Sequence, residues 1–266
     1  LAEDFATLHN LSGGRGILGV GRGTVPRESE TLGTRIGSFD NPDKAVADES
    51  NRRQFDEAMD VIQLALTEER FAYHGEVYDL PPPGIPDRGG TVQELTLVPR
   101  PLHPFETWQA ITSPPTLEQV PRRGWGGVFW NNHPTFTKRN WDRFAEVFEE
   151  AHGRTLEPGE KRTLVRCVCV ADTREEAMAK VRPGHDEMWK FLGPYGWSKG
   201  YMGPDGKPAK AGLIPSLEES LEQKIWIVGS ADEVGEQIQW YRDLLGVEDL
   251  LLFPMMPGDS YKAGEE

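Results

Sequence analysis

Leu11-Ser12-Gly13-Gly14-Arg15-Gly16-Ile17-Leu18-Gly19-Val20-Gly21-Arg22-Gly23 decides how this chain is read. Ile17, Leu18 and Val20 form a short apolar run with glycines on both sides. That pattern reads as a brief buried strand rather than a helix. The strand opens into Gly21-Arg22-Gly23. Two glycines let a backbone come close to a ligand, and the guanidinium between them is permanently charged. An arginine at the C-terminal end of a parallel strand suits a phosphate. The competing reading of Arg22 is a solvated loop charge. A dinucleotide fingerprint fails here, because its third glycine would fall on Thr24 counting from Gly19, or on Pro26 counting from Gly21.

Outward from this stretch the pattern changes on each side. Before it, Leu1, Phe5, Leu8 and Leu11 recur at helical spacing with no capping residue ahead of them, so the sequence reads as starting inside a helix. After it, residues 24–47 carry Pro26, Gly33, Gly37 and Asn41-Pro42, which is loop chemistry. A long helix follows over 47–67. Its expected apolar stripe is Phe55, Ala58, Met59, Ile62 and Leu66, with Arg52, Asp56, Asp60 and Gln63 facing water. Residues 71–80 read as a small hairpin turning at His74-Gly75, with His74 exposed. Residues 81–90 read as a loop, 92–98 as an extended segment and 99–104 as a connector.

Residues 107–130 form the second informative unit. Trp108-Gln109-Ala110-Ile111 reads as a strand. Ser113 is a good N-cap and Pro114 suits the first helical position. The helix runs through Leu117 and Val120 to Arg123, Gly124 stops it, and 126–130 is another strand. The N–H groups of such a helix start bind anions, and the hydroxyls of Ser113 and Thr116 add donors. An ordinary helix cap is the alternative. Beyond this, 136–152 is a helix with Trp141, Phe144, Val147 and Phe148 inward. Residues 162–171 are a strand, and Thr173 starts a helix through Met178, Val181 and Trp189. Residues 193–215, rich in Gly and Pro, read as an inserted loop of the kind often used as a lid. Ser230 caps a helix bearing Val234, Ile238, Tyr241 and Leu245. Residues 249–254 are a last strand and 255–266 a polar stub.

Composition narrows the partners. The chain has 43 acidic and 29 basic residues, a formal charge of −14. That argues against nucleic acid and anionic membrane. No apolar run reaches transmembrane length and nothing resembles a signal peptide, so a cytoplasmic location is expected. Cys167 and Cys169 alternate with Val168 and Val170 and share one strand face. Their Cα atoms lie roughly 6.7 Å apart on an extended strand, at the outer limit for a disulfide. Both read as structural, and no metal site is expected.

Strands near 16–21, 107–111, 126–130, 163–171 and 249–254 alternate with amphipathic helices. That alternation predicts a parallel sheet in a single domain over 1–266, either doubly wound or a (β/α)₈ barrel. The run Ala2-Glu3-Asp4 through Leu8, then Leu11–Arg15 and Leu18-Gly19-Val20-Gly21-Arg22-Gly23, resembles the bacterial luciferase-like, flavin-dependent monooxygenases. Ser113-Pro114-Pro115-Thr116-Leu117, residues 125–130 and Val228-Gly229-Ser230-Ala231-Asp232-Glu233-Val234 follow in the same order. The resemblance implies an α/β fold, an incomplete (β/α)₈ TIM barrel. About strands 4 to 8 are present, and the first three βα units and the final helix have no counterpart.

The resemblance also assigns residues. Arg22 matches the family's phosphate-contacting arginine, Ser113 and Thr116 its phosphate-contacting hydroxyls. Gly21 and Gly23 permit close approach, and Thr112 borders the flavin. The implied cofactor is FMN, used in reduced form with O₂ to oxidise a small organic substrate and supplied by a flavin reductase. The implied assembly is a homodimer. Catalytic residues of the first third cannot be carried over. Trp130, Asn131 and His133 lie just past a strand end and are the candidate substrate pocket, with His133 the candidate acid or base. Two alternatives stand beside this reading: a deazaflavin-dependent hydride transferase of the same fold, and a non-catalytic flavin-binding protein.

Overall fold

The computed structural model describes residues 1–23, 25–33 and 44–253. Residues 255–266, and the Gly37 and Asn41-Pro42 loop signals, lie outside them. The chain divides into two compact units, Leu1–Thr107 and Trp108–Glu266.

The first unit opens with α1 (Ala2–Leu11) and β1 (Ile17–Val20). The predicted apolar stripe of α1 is not its buried face. Phe5, Ala6 and His9 are buried, while Leu1, Leu8 and Leu11 are 71%, 66% and 81% exposed. The reason is local packing: Phe5 and His9 stack on each other and both meet Phe105 edge-on. In β1 only Leu18 is buried, and Ile17 is 60% exposed, so the strand is half-buried rather than buried.

Residues 24–47 are not all loop. They include α2 (Pro26–Ser29), a 3₁₀ turn (Glu30–Leu32) and the start of α3 (Lys44–Thr67). Then come two small antiparallel pairs, β2 (Tyr73–His74) with β3 (Asp79–Leu80) and β4 (Pro86–Asp87) with β5 (Gly90–Thr91). The second pair lies in and just beyond the predicted 81–90 loop. In the predicted 92–98 strand, Leu95 forms an isolated bridge to Phe71. The first hairpin is fastened to α3 by one side chain. The Glu57 carboxylate accepts the N–H groups of Glu76, Val77 and Tyr78 at 3.0, 2.9 and 3.1 Å. Gly75 is required there, because a Cβ would strike that carboxylate.

The second unit carries the parallel sheet. Its elements are β6 (Glu106–Ile111), α4 (Pro114–Arg122), β7 (Gly126–Phe129), α5 (Pro134–His152), β8 (Arg162–Val170) and α6 (Arg174–Leu192). Two 3₁₀ turns (Gly193–Tyr195, Trp197–Gly200), α7 (Leu217–Glu222), β9 (Ile227–Gly229), α8 (Ala231–Leu245) and β10 (Leu250–Phe253) complete it. The strand order is β6-β7-β8-β10, with β9 also on β8. All these pairs are parallel. Ile111 sits opposite Phe129, Phe129 opposite Leu164, Phe253 opposite Cys167, and Val168 opposite Ile227. Strand followed by helix, repeated along a parallel sheet, is the parallel α/β arrangement that the alternation predicts and the partial barrel that the resemblance implies.

Three elements differ from expectation. β9 and α7 have no counterpart in the sequence reading. The 193–215 insert is not structureless: Ser198, Tyr201 and Ala209 are buried within it, and Met202 bridges Pro208. Tyr201 and Ala209 join Trp189, Leu217, Trp226 and Cys167 in one core cluster. Cys167 is fully buried and Cys169 half-buried; neither is in a disulfide. Burial pushes the Cys167 thiol up to about 12, so it packs as a neutral group.

Candidate functional site

In the first unit, Arg22 follows β1 directly. Its guanidinium turns onto α3, where Nη1 donates to Asp48 Oδ1 at 3.1 Å and to Asn51 Oδ1 at 2.9 Å. Arg52 grips the other oxygen of the same carboxylate, Nη2 to Asp48 Oδ2 at 3.2 Å. Both arginine side chains are largely buried, at 14% and 13% exposure. Two guanidiniums therefore share the Asp48 carboxylate. Nη1 of Arg52 is buried with no hydrogen-bond partner among the described residues, an expensive state for a cationic donor. Gly23 holds φ at +92°, and a Cβ there would strike Ser29 Oγ. Beside Gly21 a Cβ would meet nothing within 4 Å, so the backbone is open on that side. Residues 48, 51 and 52 share one helix face at i, i+3 and i+4. The sequence reading put Arg52 in water; it is instead held against Asp48. Gln63, also assigned to water, donates to Thr107 Oγ1 at 2.8 Å.

In the second unit, Ser113 is the N-cap of α4, in extended conformation with φ −149° and ψ 157°. The turn is organised by Thr116, which is 3% exposed. Its Oγ1 accepts the N–H groups of Ser113 and Thr112 at 3.1 and 3.3 Å and donates to the Ser113 carbonyl at 2.8 Å. The Thr116 hydroxyl is thus spent inside the turn. Pro114 and Pro115 have no N–H to offer. The amide-rich anion site expected at this helix start is therefore poor in free amides. Its remaining assets are the half-buried Ser113 hydroxyl and the helix dipole. Thr112 is exposed.

The loop from β7 into α5 carries the other predicted residues. Trp130 is half-buried and meets two rings nearly at right angles, Phe253 at 5.7 Å and Trp197 at 6.3 Å. Asn131 is 5% exposed. Its Nδ2 donates to Cys167 Sγ at 3.0 Å, and its Oδ1 is buried without a partner among the described residues. His133 is the N-cap of α5: its Nδ1 accepts the Thr135 N–H at 3.2 Å. In a neutral ring this leaves the proton on Nε2. Burial, and then the Arg166 guanidinium, hold the imidazole below the usual histidine value. As placed, His133 is a neutral donor through Nε2, not a base at that atom.

Arg166, on β8, is fully buried. It donates to Tyr241 Oη at 3.0 Å, the Val165 carbonyl at 2.9 Å and the Asn132 carbonyl at 3.1 Å. The insert is pinned to the same loop, the His133 N–H donating to the Gly200 carbonyl at 2.7 Å.

Sequence reasoning missed Asp48, Asn51, Arg52, Arg166, Trp197 and Phe253. The i, i+3, i+4 spacing of the first three was a usable signal. Trp197 lies in a segment with no periodicity, and its place depends on the buried Tyr201 behind it. Among the described residues, no group of three or more His, Cys, Asp or Glu side chains could hold a metal ion. No helix among them is long and apolar enough to cross a membrane.

Known structures share this architecture. Monooxygenase RslO1 from Streptomyces bottropensis superposes with a TM-score of 0.72 at 19% identity, over 99% of this chain and 68% of its own. The oxygenating constituent of 3,6-diketocamphane monooxygenase from Pseudomonas putida, in complex with FMN, gives 0.66 at 22% identity, over 94% and 67%. An F420-dependent secondary alcohol dehydrogenase, in complex with an F420-acetone adduct, gives 0.61 at 16%, over 94% and 67%. The chain thus spans about two thirds of each of these structures. No curated protein sequence matches significantly. The family model described as luciferase-like monooxygenase matches residues 1–248. With the parallel half-barrel and its order of elements, that match establishes that the chain belongs to the luciferase-like monooxygenase family.

Proposed function

We propose that the chain is the flavin-holding part of an FMN-dependent monooxygenase, which oxidises a small organic substrate with O₂. The observation that carries this reading is the pair of guanidiniums at the end of β1. Arg22 and Arg52 share the Asp48 carboxylate, and a buried Arg52 Nη1 has no acceptor among the described residues. A phosphate monoester supplies acceptors of the right charge for both. Open space beside Gly21 admits it. The residues therefore fit the phosphate end of a flavin mononucleotide.

Bound reduced FMN supplies the electrons that activate O₂. The chain's own residues do the rest. Arg22 and Arg52 anchor the phosphate, and Gly21 and Gly23 let the backbone approach. Ser113 offers its hydroxyl from a turn that Thr116 shapes, and Thr112 borders the ring system. Trp130 with its aromatic neighbours keeps water away from the reacting atoms. His133 donates a hydrogen bond through Nε2 rather than shuttling a proton. A flavin reductase as electron source, a homodimeric assembly and a cytoplasmic location belong to the same reading.

A deazaflavin-dependent hydride transferase is the second reading. It is favoured by the likeness to the F420-dependent dehydrogenase. Fluorescence titration decides between the cofactors. The expected outcome is FMN binding that Arg22→Ala weakens by about 10- to 100-fold, the equivalent of a charge-assisted hydrogen bond of roughly 1.5–3 kcal/mol. Riboflavin, without the phosphate, should show little difference between wild type and variant. An unchanged FMN dissociation constant removes Arg22 from the site. Tighter binding of the deazaflavin than of FMN selects the second reading.

A further inference from the structure

Most large aromatic side chains of the second unit are sealed in its core. Trp141, Trp226, Tyr201 and Tyr241 are each below 2% exposure. Among those that are not, three cluster around Trp130. Trp130 and Trp197 are half-buried, and Phe253 is 48% exposed. These three meet. Trp130 stands immediately after the C-terminal end of β7, with Phe253, the last residue of β10, at 81° and Trp197 at 77° to its plane. Ring centroids 5.7 and 6.3 Å apart lie within the range of edge-to-face contacts. The C-terminal ends of parallel strands are also where α/β folds place their ligands.

Trp197 is not on a loose lid. Its 3₁₀ turn is tied by Ser198 Oγ donating to the Lys210 carbonyl at 2.9 Å, by the Tyr201 N–H donating to the Ser198 carbonyl at 2.9 Å, and by Gly200 receiving the His133 N–H at 2.7 Å. Gly200 lies so close to the Asn132 amide that a Cβ there would strike it. The turn is therefore held in place before any ligand arrives, which lowers the entropy cost of binding. Next to Trp130, Asn131 keeps a buried Oδ1 with no donor among the described residues, an unusual cost for a side chain that only packs.

We propose that Trp130, Trp197 and Phe253 form a rigid aromatic subsite that binds a planar, uncharged aromatic ring, with Trp197 of the insert setting that preference. The subsite rests on the proposed function for the reaction the ring undergoes, and on the geometry alone for its binding. Edge-to-face surroundings reward a flat π system over an aliphatic ring of equal bulk.

The test is calorimetric titration of the full chain with 2-naphthol and with decahydro-2-naphthol, its saturated counterpart. The variants are Trp197→Phe, which keeps a ring, and Trp197→Leu, which keeps apolar bulk without one. The proposal expects 2-naphthol to bind at least tenfold more tightly than the saturated alcohol. It expects Trp197→Leu to erase that preference and Trp197→Phe to stay within about threefold of wild type. Equal affinity for the two alcohols, failure of 2-naphthol to bind, or a preference that survives in Trp197→Leu overturns it. Parallel FMN titration separates the two ideas. Ring selectivity without FMN binding keeps the subsite and removes the proposed cofactor; FMN binding without ring selectivity does the opposite.

Discussion

His133 caps α5 through Nδ1, and that bond has a pH signature. Burial and Arg166 lower its folded value below the 6.5 of an unperturbed histidine. A lowered value means that the unfolded chain takes up the proton first, so stability is full above about pH 6.5 and falls as pH drops through the folded value. Protonation also occupies Nδ1 and removes the acceptor for the Thr135 N–H. His133→Asn keeps a capping acceptor that does not titrate. The urea midpoint of the wild type should fall between pH 6.5 and 5, and that of His133→Asn should fall less. His185, also lowered mainly by burial, accounts for the part that remains. Glu118 and Glu233 are held below the usual carboxylate value, by the Arg143 side chain and by the Ser230 backbone respectively, so their losses begin only below about pH 4.5. Equal slopes for the two proteins would detach His133 from the acid response.

The β6-to-α4 turn is the clearest case of one element end built by a single hydroxyl. Thr116 takes two backbone N–H groups and donates to a carbonyl within four residues. Thr116→Val keeps its shape and strands those amides, an expected loss of about 1–3 kcal/mol, with Thr116→Ser restoring most of it. Ser113→Ala should cost only about 1 kcal/mol as a lost cap, yet weaken FMN non-additively with Arg22→Ala if both serve one phosphate. Urea unfolding and flavin titration of the single and double variants measure both. Strict additivity would leave Ser113 as a helix cap alone.

Over the whole chain, one edge of the parallel sheet presents an apolar strand to solvent. Among the described strands β10 pairs only with β8. Leu251, Leu252 and Phe253 are 49%, 47% and 48% exposed on it. An unpaired apolar edge templates association, and one charge on it usually suffices as protection. Leu252→Lys should convert a concentration-dependent elution profile in size-exclusion chromatography to a monomeric one; an unchanged profile would place self-association elsewhere. The same edge marks how far the sequence could be read. Strand–helix alternation was legible because burial on one face writes a period of 2 or 3.6 into the residues themselves. Ser113, Ser230 and Thr173 announced their helices because capping is a contact of only three or four residues. Period alone names the residues that share a face, not the face that is covered. That is why Leu8 and Leu11 are outside while Phe5 and His9, packed on Phe105 from 96 or more residues away in the chain, are inside. β9 and α7, at 3 and 6 residues, are too short to show a period. The Arg22–Asp48 pair and the Trp130–Trp197–Phe253 corner came only with folding, because each joins side chains 26 or more residues apart through contacts that no local pattern records.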